Sequence, residues 1–172
     1  KSRDLIWLAE RGHKVIGCEL SEIAVASFFD EAGLEPRRKA DGPVERWTTP
    51  SIEILLGDFF KLDRDLIGSF DLVYDRAALI ALPEAMRMAY AEALARLMGT
   101  GATMLLLTLE YAQAEMDGPP FSVPEKEVHD LFEGVADIAL LESVSNASYD
   151  FPQFRQRGLS RLEEKAYRLR TR

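Results

Sequence analysis

The chain of 172 residues holds one cysteine, Cys18, and two histidines, His13 and His129. A single thiol excludes an intrachain disulfide. With no cysteine pair, and no histidines at ligand spacing with a carboxylate cluster, a metal centre has no framework and none is expected. No run approaches the roughly 18–20 apolar residues of a membrane span, and no apolar signal region follows the charged opening Lys1-Ser2-Arg3-Asp4, so no membrane partner is expected. Cations are scarce as well. Lys and Arg number 21 against 29 Asp and Glu, a net charge of −8, which argues against a nucleic-acid partner because such binding rests on clustered Lys and Arg. Neither histidine stands in a Ser-His-Asp arrangement, and Ser51 and Ser69 read as turn residues, so triad hydrolysis has no support. Cysteine usage fits a reducing, cytoplasmic setting.

What is present is ordinary for a globular protein: 47% apolar and 29% charged residues, which suits one domain over residues 1–172 with one sizeable core. Leu5, Leu8 and Ala9 share one helical face, predicting a helix from about Ser2 to Arg11. Residues 14–20 are β-rich and apolar on both faces, as in a buried parallel strand. Ser21 can cap the stripe Val25, Phe28, Phe29 and Ala32, which stops at Gly33. Residues 34–43 read as a loop, and Val44–Thr49 with Ile52–Leu56 as a hairpin. Phe70–Tyr74 is a strand. Pro83 then opens a helix whose face is Met86, Ala89, Tyr90, Ala93, Leu94 and Leu97. After a Gly99-Thr100-Gly101 turn comes the strand Thr103–Leu109. Ser122 and Glu125 form a capping-box pattern before Val128, Leu131 and Phe132. Ile138–Val144 reads as a strand, residues 145–158 as a loop, and Leu162–Leu169 as a final strand.

A last helix followed by two strands predicts an antiparallel pair at the sheet edge. The fold class expected is therefore α/β: a doubly wound, mostly parallel, Rossmann-like sheet with an antiparallel last strand, as in class I S-adenosylmethionine-dependent methyltransferases. Lys1 falls at the start of a helix with no strand before it. The first strand of such a sheet is expected to precede Lys1, making the chain an N-terminally incomplete version of the domain.

Open α/β sheets bind ligands outside the carboxyl ends of their strands. Glu19 ends one strand, where a carboxylate can accept hydrogen bonds from both hydroxyls of a ribose; the same position also suits a surface glutamate beside a helix cap. Asp58 follows a strand and a glycine, placed to accept an adenine amine while Phe59 covers a ring face, or to serve as a turn aspartate beside two core aromatics. Arg76, with Asp75, ends the central strand. There a guanidinium can fork onto the carboxylate of a methionine moiety or an anionic substrate, or pair with Asp75. Cys18 suits a small core residue.

Over nearly its whole length the chain resembles the thiopurine S-methyltransferase family, its bacterial branch above all. The matching pieces include Trp7-Leu8-Ala9, Arg11-Gly12-His13, Gly17-x-Glu19-Leu20-Ser21, Gly57-Asp58-Phe59-Phe60, Tyr74-Asp75-Arg76-Ala77-Ala78-Leu79, Gly118-Pro119-Pro120-Phe121 and Glu164-Lys165-x-Tyr167. The resemblance implies methyl transfer from S-adenosylmethionine to the sulfur of thiopurine-like or other thiols, with selenium and tellurium compounds as further acceptors. It implies Glu19, Asp58, Phe59 and Arg76 as cofactor-binding residues and Arg76 as the catalytic contact. Phe121, Phe154 and Tyr111 are candidate walls of the acceptor cavity. An arginine of the late loop lies near the family's substrate; Arg155 and Arg157 both stand close to that place, and Arg155 is the candidate. A monomer acting on a small molecule is expected. Two other readings stay open from the residues alone: a non-catalytic module binding S-adenosylmethionine or an adenine nucleotide, and an NAD-dependent oxidoreductase, which Glu19 would serve equally well.

Overall fold

Two sheets of four strands each organise the computed structural model, which describes residues 3–145 and 152–172. They fall in two compact units, Lys1–Ile67 and Gly68–Arg172. The first unit runs α1 (Asp4–Glu10), β1 (Val15–Glu19), α2 (Glu22–Ala32), β2 (Arg37–Asp41), β3 (Val44–Thr48), β4 (Ile52–Gly57) and α3 (Arg64–Ile67). Its strand order is β1-β4-β3-β2. β1 lies parallel to β4, with Glu19 opposite Leu56, and β4, β3 and β2 form an antiparallel meander. The Ser21 hydroxyl accepts the Ala24 N–H at 3.3 Å and so caps α2.

The loop expected over residues 34–43 is in fact a strand over much of its length. Arg37, Arg38 and Lys39 are exposed on β2, the edge of the sheet. Charge on an edge strand discourages pairing with other chains, and it also removes the apolar alternation by which a strand is recognised. Arg38 nonetheless contributes to packing, its guanidinium 3.3 Å from the ring centre of Trp47. Beneath lies the core of Val25, Phe28, Phe29, Trp47, Ile52 and Ile54, with Leu5, Ile6 and Ala9 of α1 packed against it. Phe29 and Trp47 stack at 6.0 Å and 16°. Arg46 ties this layer together, donating to Asp41 and Glu53 at 2.6 Å each and to the Leu66 carbonyl at 2.5 Å.

The second unit runs β5 (Phe70–Asp75), α4 (Glu84–Leu97), β6 (Met98–Glu110), α5 (Glu125–Phe132), β7 (Ala136–Ser145), α6 (Pro152–Gln156) and β8 (Glu163–Thr171). The order is β5-β6-β8-β7; β5 and β6 are parallel, and β8 is antiparallel to both neighbours. The last two strands thus form an antiparallel pair at the sheet edge, as expected, with β8 inserted between β6 and β7. The core face of β6 and β8 carries Met104, Leu106, Tyr167 and Leu169, all buried, and Val128 and Phe132 of α5 are buried with them.

Four local expectations are corrected in this unit. Gly99-Thr100-Gly101 is no turn between elements: it lies within β6, where the register jumps from Phe70 opposite Met98 to Leu72 opposite Thr103. Met86, 41% exposed, and Ala89 lie outside the buried face of α4, which holds Tyr90, Ala93, Leu94 and Leu97 as expected and adds Arg87 and Ala91. Ser122 does not cap α5, because its Oγ accepts the Tyr111 N–H at 3.0 Å and Pro124 occupies the cap position. Part of the late loop is the short helix α6, and residues 146–151 of that loop lie outside the described residues.

Gly57 is the tightest point of the first sheet, since a Cβ there would stand 2.7 Å from Val44 Cγ1 and 3.1 Å from the Pro43 carbonyl. Gly57→Ala is expected to cost about 1–3 kcal/mol by overpacking, read as a lower denaturant midpoint at unchanged slope. An unchanged midpoint would show that the β3–β4 ladder yields without cost.

Candidate active site

The ends of β1 and β4 bring two of the expected residues to one edge of the first sheet. Glu19 closes β1, and Asp58 stands two residues beyond Leu56, its register partner on β4. Adjacent strands lie about 4.8 Å apart, so the two residues stand one strand spacing apart across the sheet and two residues apart along it. Both are half-buried and held by the backbone that follows them: Glu19 Oε1 accepts the Ser21 N–H at 2.9 Å, and Asp58 Oδ1 accepts the Phe60 N–H at 3.0 Å. Asp58 thereby opens the 3-10 turn Phe59–Lys61. The Phe59 ring meets Phe60 edge to face at 6.0 Å.

Cys18 reports on this edge. Its thiol is half-buried and donates to the Gly57 carbonyl at 3.4 Å. Burial, reinforced by the charges of Glu19 and Asp58, pushes its pKa up to about 11. A thiol so placed stays protonated and does not act as a nucleophile.

In the second unit the end of β5 is built around Asp75, 2% exposed. Its carboxylate accepts the Ala78 N–H at 2.9 Å, the Leu79 N–H at 3.3 Å and the Tyr90 hydroxyl at 2.9 Å. Burial raises its pKa while these donors pull the other way. Asp75 is therefore committed to shaping the turn after Arg76, whose side chain is exposed.

The segment after β6 carries Phe121, half-buried, whose N–H donates to the Ile80 carbonyl at 2.6 Å. Tyr111, buried, donates its hydroxyl to the Pro120 carbonyl at 2.7 Å, and Gln113 Oε1 accepts the Ser122 N–H at 2.9 Å. Arg157 donates to the Pro119 carbonyl at 3.2 Å. Phe154 lies half-buried on α6. Arg155 belongs to the same helix, but its side chain lies outside the described residues. Of the two late arginines, Arg157 is thus the one seen on the Phe121 segment.

Two groups escaped sequence reasoning. Glu110, at the end of β6, accepts Lys165 Nζ at 2.8 Å; Lys165 also reaches Glu125 at 3.2 Å, and the Glu110 and Glu125 hydrogen bonds raise the pKa of its ammonium. Arg87, 3% exposed, meets Glu127 at 2.7 Å. The available signal for Arg87 was a charge in step with Tyr90, Ala91 and Leu94 inside an apolar stripe.

The sequence profile of the family described as Thiopurine S-methyltransferase (TPMT) matches residues 1–172. The chain belongs to the thiopurine S-methyltransferase family. Among its relatives, the thiopurine S-methyltransferase of Methylococcus capsulatus is 49% identical over 171 residues, covering 99% of this chain and 77% of that protein. That of Nitrosospira multiformis is 44% identical over 172 residues, covering all of this chain and 78% of the relative. The fold is also that of Burkholderia thailandensis 1,6-didemethyltoxoflavin-N1-methyltransferase, solved with S-adenosylhomocysteine, at TM-score 0.61 and 16% identity, covering 99% of this chain and 66% of that one. Haemophilus influenzae TehB matches at TM-score 0.60 and 13% identity, over 99% of this chain and 54% of that one. Family membership makes this chain an S-adenosylmethionine-dependent methyltransferase with the class I fold, and it decides for the enzyme over the silent binding module and the NAD-dependent oxidoreductase.

The raised thiol pKa is open to a chemical check. At pH 8 the thiolate fraction of Cys18 falls to about a hundredth of that of an exposed cysteine, so alkylation by iodoacetamide is expected to be slower by about that factor in the folded protein and to recover on denaturation. Equal rates in the two states would contradict this placement of Cys18.

Proposed function

We propose that the enzyme methylates the sulfur of small thiols, thiopurine-like thiols first among them, with Glu19 and Asp58 holding the nucleoside of the donor. The observation that carries this reading is the pair of half-buried carboxylates at the ends of adjacent parallel strands, each oriented by a backbone N–H. Such a pair fits a nucleoside. A carboxylate in Glu19's position accepts both ribose hydroxyls, and one in Asp58's position accepts the exocyclic amine of adenine. Phe59 then offers a ring for the base. Arg76 supplies a guanidinium for the carboxylate of the methionine portion or for an anionic acceptor.

The bound donor supplies a methyl group on a sulfonium, whose transfer to sulfur leaves a neutral thioether. A sulfonium leaves without acid assistance, so the work of the protein is to align the acceptor with the methyl and to exclude water. An acidic heteroaromatic thiol is ionised near neutral pH and requires no base from the chain. Phe121 and Tyr111, braced through Pro120 and Gln113, provide an aromatic wall suited to a flat acceptor, and Phe154 is a further candidate for it. Selenium and tellurium compounds share the soft nucleophilic character of thiolates and belong in the acceptor panel. A cytoplasmic monomer is the state proposed; no helix among the described residues is long and apolar enough to cross a membrane.

Mass-spectrometric detection of S-adenosylhomocysteine, with S-adenosylmethionine and a panel of thiopurines, aliphatic thiols and selenium or tellurium oxyanions, tests the reading. Acceptor-dependent product is expected, falling at least about a hundredfold in Glu19→Ala and in Arg76→Ala. Undiminished turnover in both variants would overturn the residue assignments, and product with none of the thiols would overturn the acceptor class.

A further inference from the structure

The segment carrying Phe121 is held at almost every peptide group. Its attachments come from Ile80, Tyr111, Gln113 and Arg157, and Val123 N–H donates to the Leu109 carbonyl at 2.7 Å. One side chain joins this segment to the turn that follows Arg76. Arg87 Nε donates to the Leu82 carbonyl at 3.0 Å, and its Nη1 donates to the Ser122 carbonyl at 3.1 Å and to Glu127 at 2.7–2.8 Å. Leu82 closes the 3-10 turn Leu79–Ala81 whose first N–H groups Asp75 caps, and Ser122 is the neighbour of Phe121. The guanidinium also lies 5.8 Å from the Phe121 ring centre.

The opposite constraint on that ring is Gly118, with φ +80°; a Cβ there would stand 2.6 Å from Phe121 Cε1 and 2.8 Å from Cγ. The ring is therefore pressed onto a bare backbone on one side while Arg87 anchors the adjoining peptide. We infer that Arg87, balanced by Glu127, is a positioning residue that sets the placement of the Phe121 ring relative to the Arg76 turn, and thereby tunes recognition of the acceptor rather than of the methyl donor. This rests on the reading of Phe121 as an acceptor wall. A fork that donates in two directions from one rigid plane holds two backbone segments at a fixed separation, which the single point of a lysine ammonium does not.

The test is steady-state kinetics of the intact enzyme with S-adenosylmethionine and 6-mercaptopurine, comparing Arg87→Lys, Glu127→Gln and Phe121→Leu. Glu127→Gln retains the guanidinium and a hydrogen-bond acceptor, so it still reports should Arg87→Lys fail to fold. Arg87→Lys and Glu127→Gln are expected to raise the acceptor KM about five- to tenfold with the donor KM within about twofold, and Arg87→Lys is expected to add little once Phe121→Leu is in place. If Phe121→Leu raises the acceptor KM while Glu127→Gln and any folded Arg87→Lys leave it unchanged, Arg87 is structural only and the inference is overturned. An acceptor KM indifferent to Phe121→Leu overturns the acceptor-wall reading itself, and the positioning role with it.

Discussion

In each unit the parallel strands end in, or are followed at once by, a carboxylate engaged with the chain beyond it. Glu19 after β1 takes the Ser21 N–H, Asp58 after β4 the Phe60 N–H, Asp75 after β5 the Ala78 and Leu79 N–H groups, and Glu110 after β6 the Lys165 ammonium. The first N–H groups of a turn leaving a strand have no partner of their own, and an acidic side chain one to four residues earlier satisfies them. This economy decides where charge is exposed and where it is spent. Asp75 is spent entirely: it is buried and accepts three donors, and the turn it fixes presents Arg76 and, through Ile80, the attachment of Phe121. Glu19 and Asp58 are spent only in part. Each is half-buried and held by a backbone N–H, the arrangement on which the proposed nucleoside contact rests.

The same division separates binding from bracing. Two buried cations, Arg87 against Glu127 and Lys165 against Glu110 and Glu125, connect α4, α5 and the strand ends of the second unit through partly exposed carboxylates. Truncating the carboxylate opposite a buried cation leaves that cation uncompensated, so truncation there costs stability as well as placement. Cys18 belongs with the braces. Its raised pKa is a consequence of burial first and of the neighbouring Glu19 and Asp58 charges second, not a sign of reactivity.

The alternation of helices and strands was legible in the residues because its signals are local: the Val25, Phe28, Phe29 stripe, the apolar run before Glu19, the glycine after Ala32. β2 was not, since its Arg37-Arg38-Lys39 run reads as a loop when its pairing with β3 is unseen. Ser122 carried the sequence pattern of a helix cap yet serves Tyr111, a partner eleven positions away. Strand-end logic located Glu19, Asp58 and Arg76 correctly at their edges. The part Asp75 plays in shaping the turn was not legible, because it depends on the Tyr90 hydroxyl arriving from α4. Arg87 was missed for the same reason: two of its three partners, Ser122 and Glu127, come from segments remote in sequence.

The central claim is that the donor nucleoside is held by the carboxylates at the ends of β1 and β4. A crystal structure of the enzyme with S-adenosylhomocysteine tests it most directly. The account predicts both ribose hydroxyls within hydrogen-bond distance of the Glu19 carboxylate and the adenine amine on Asp58. A nucleoside bound with no contact to either carboxylate would contradict it.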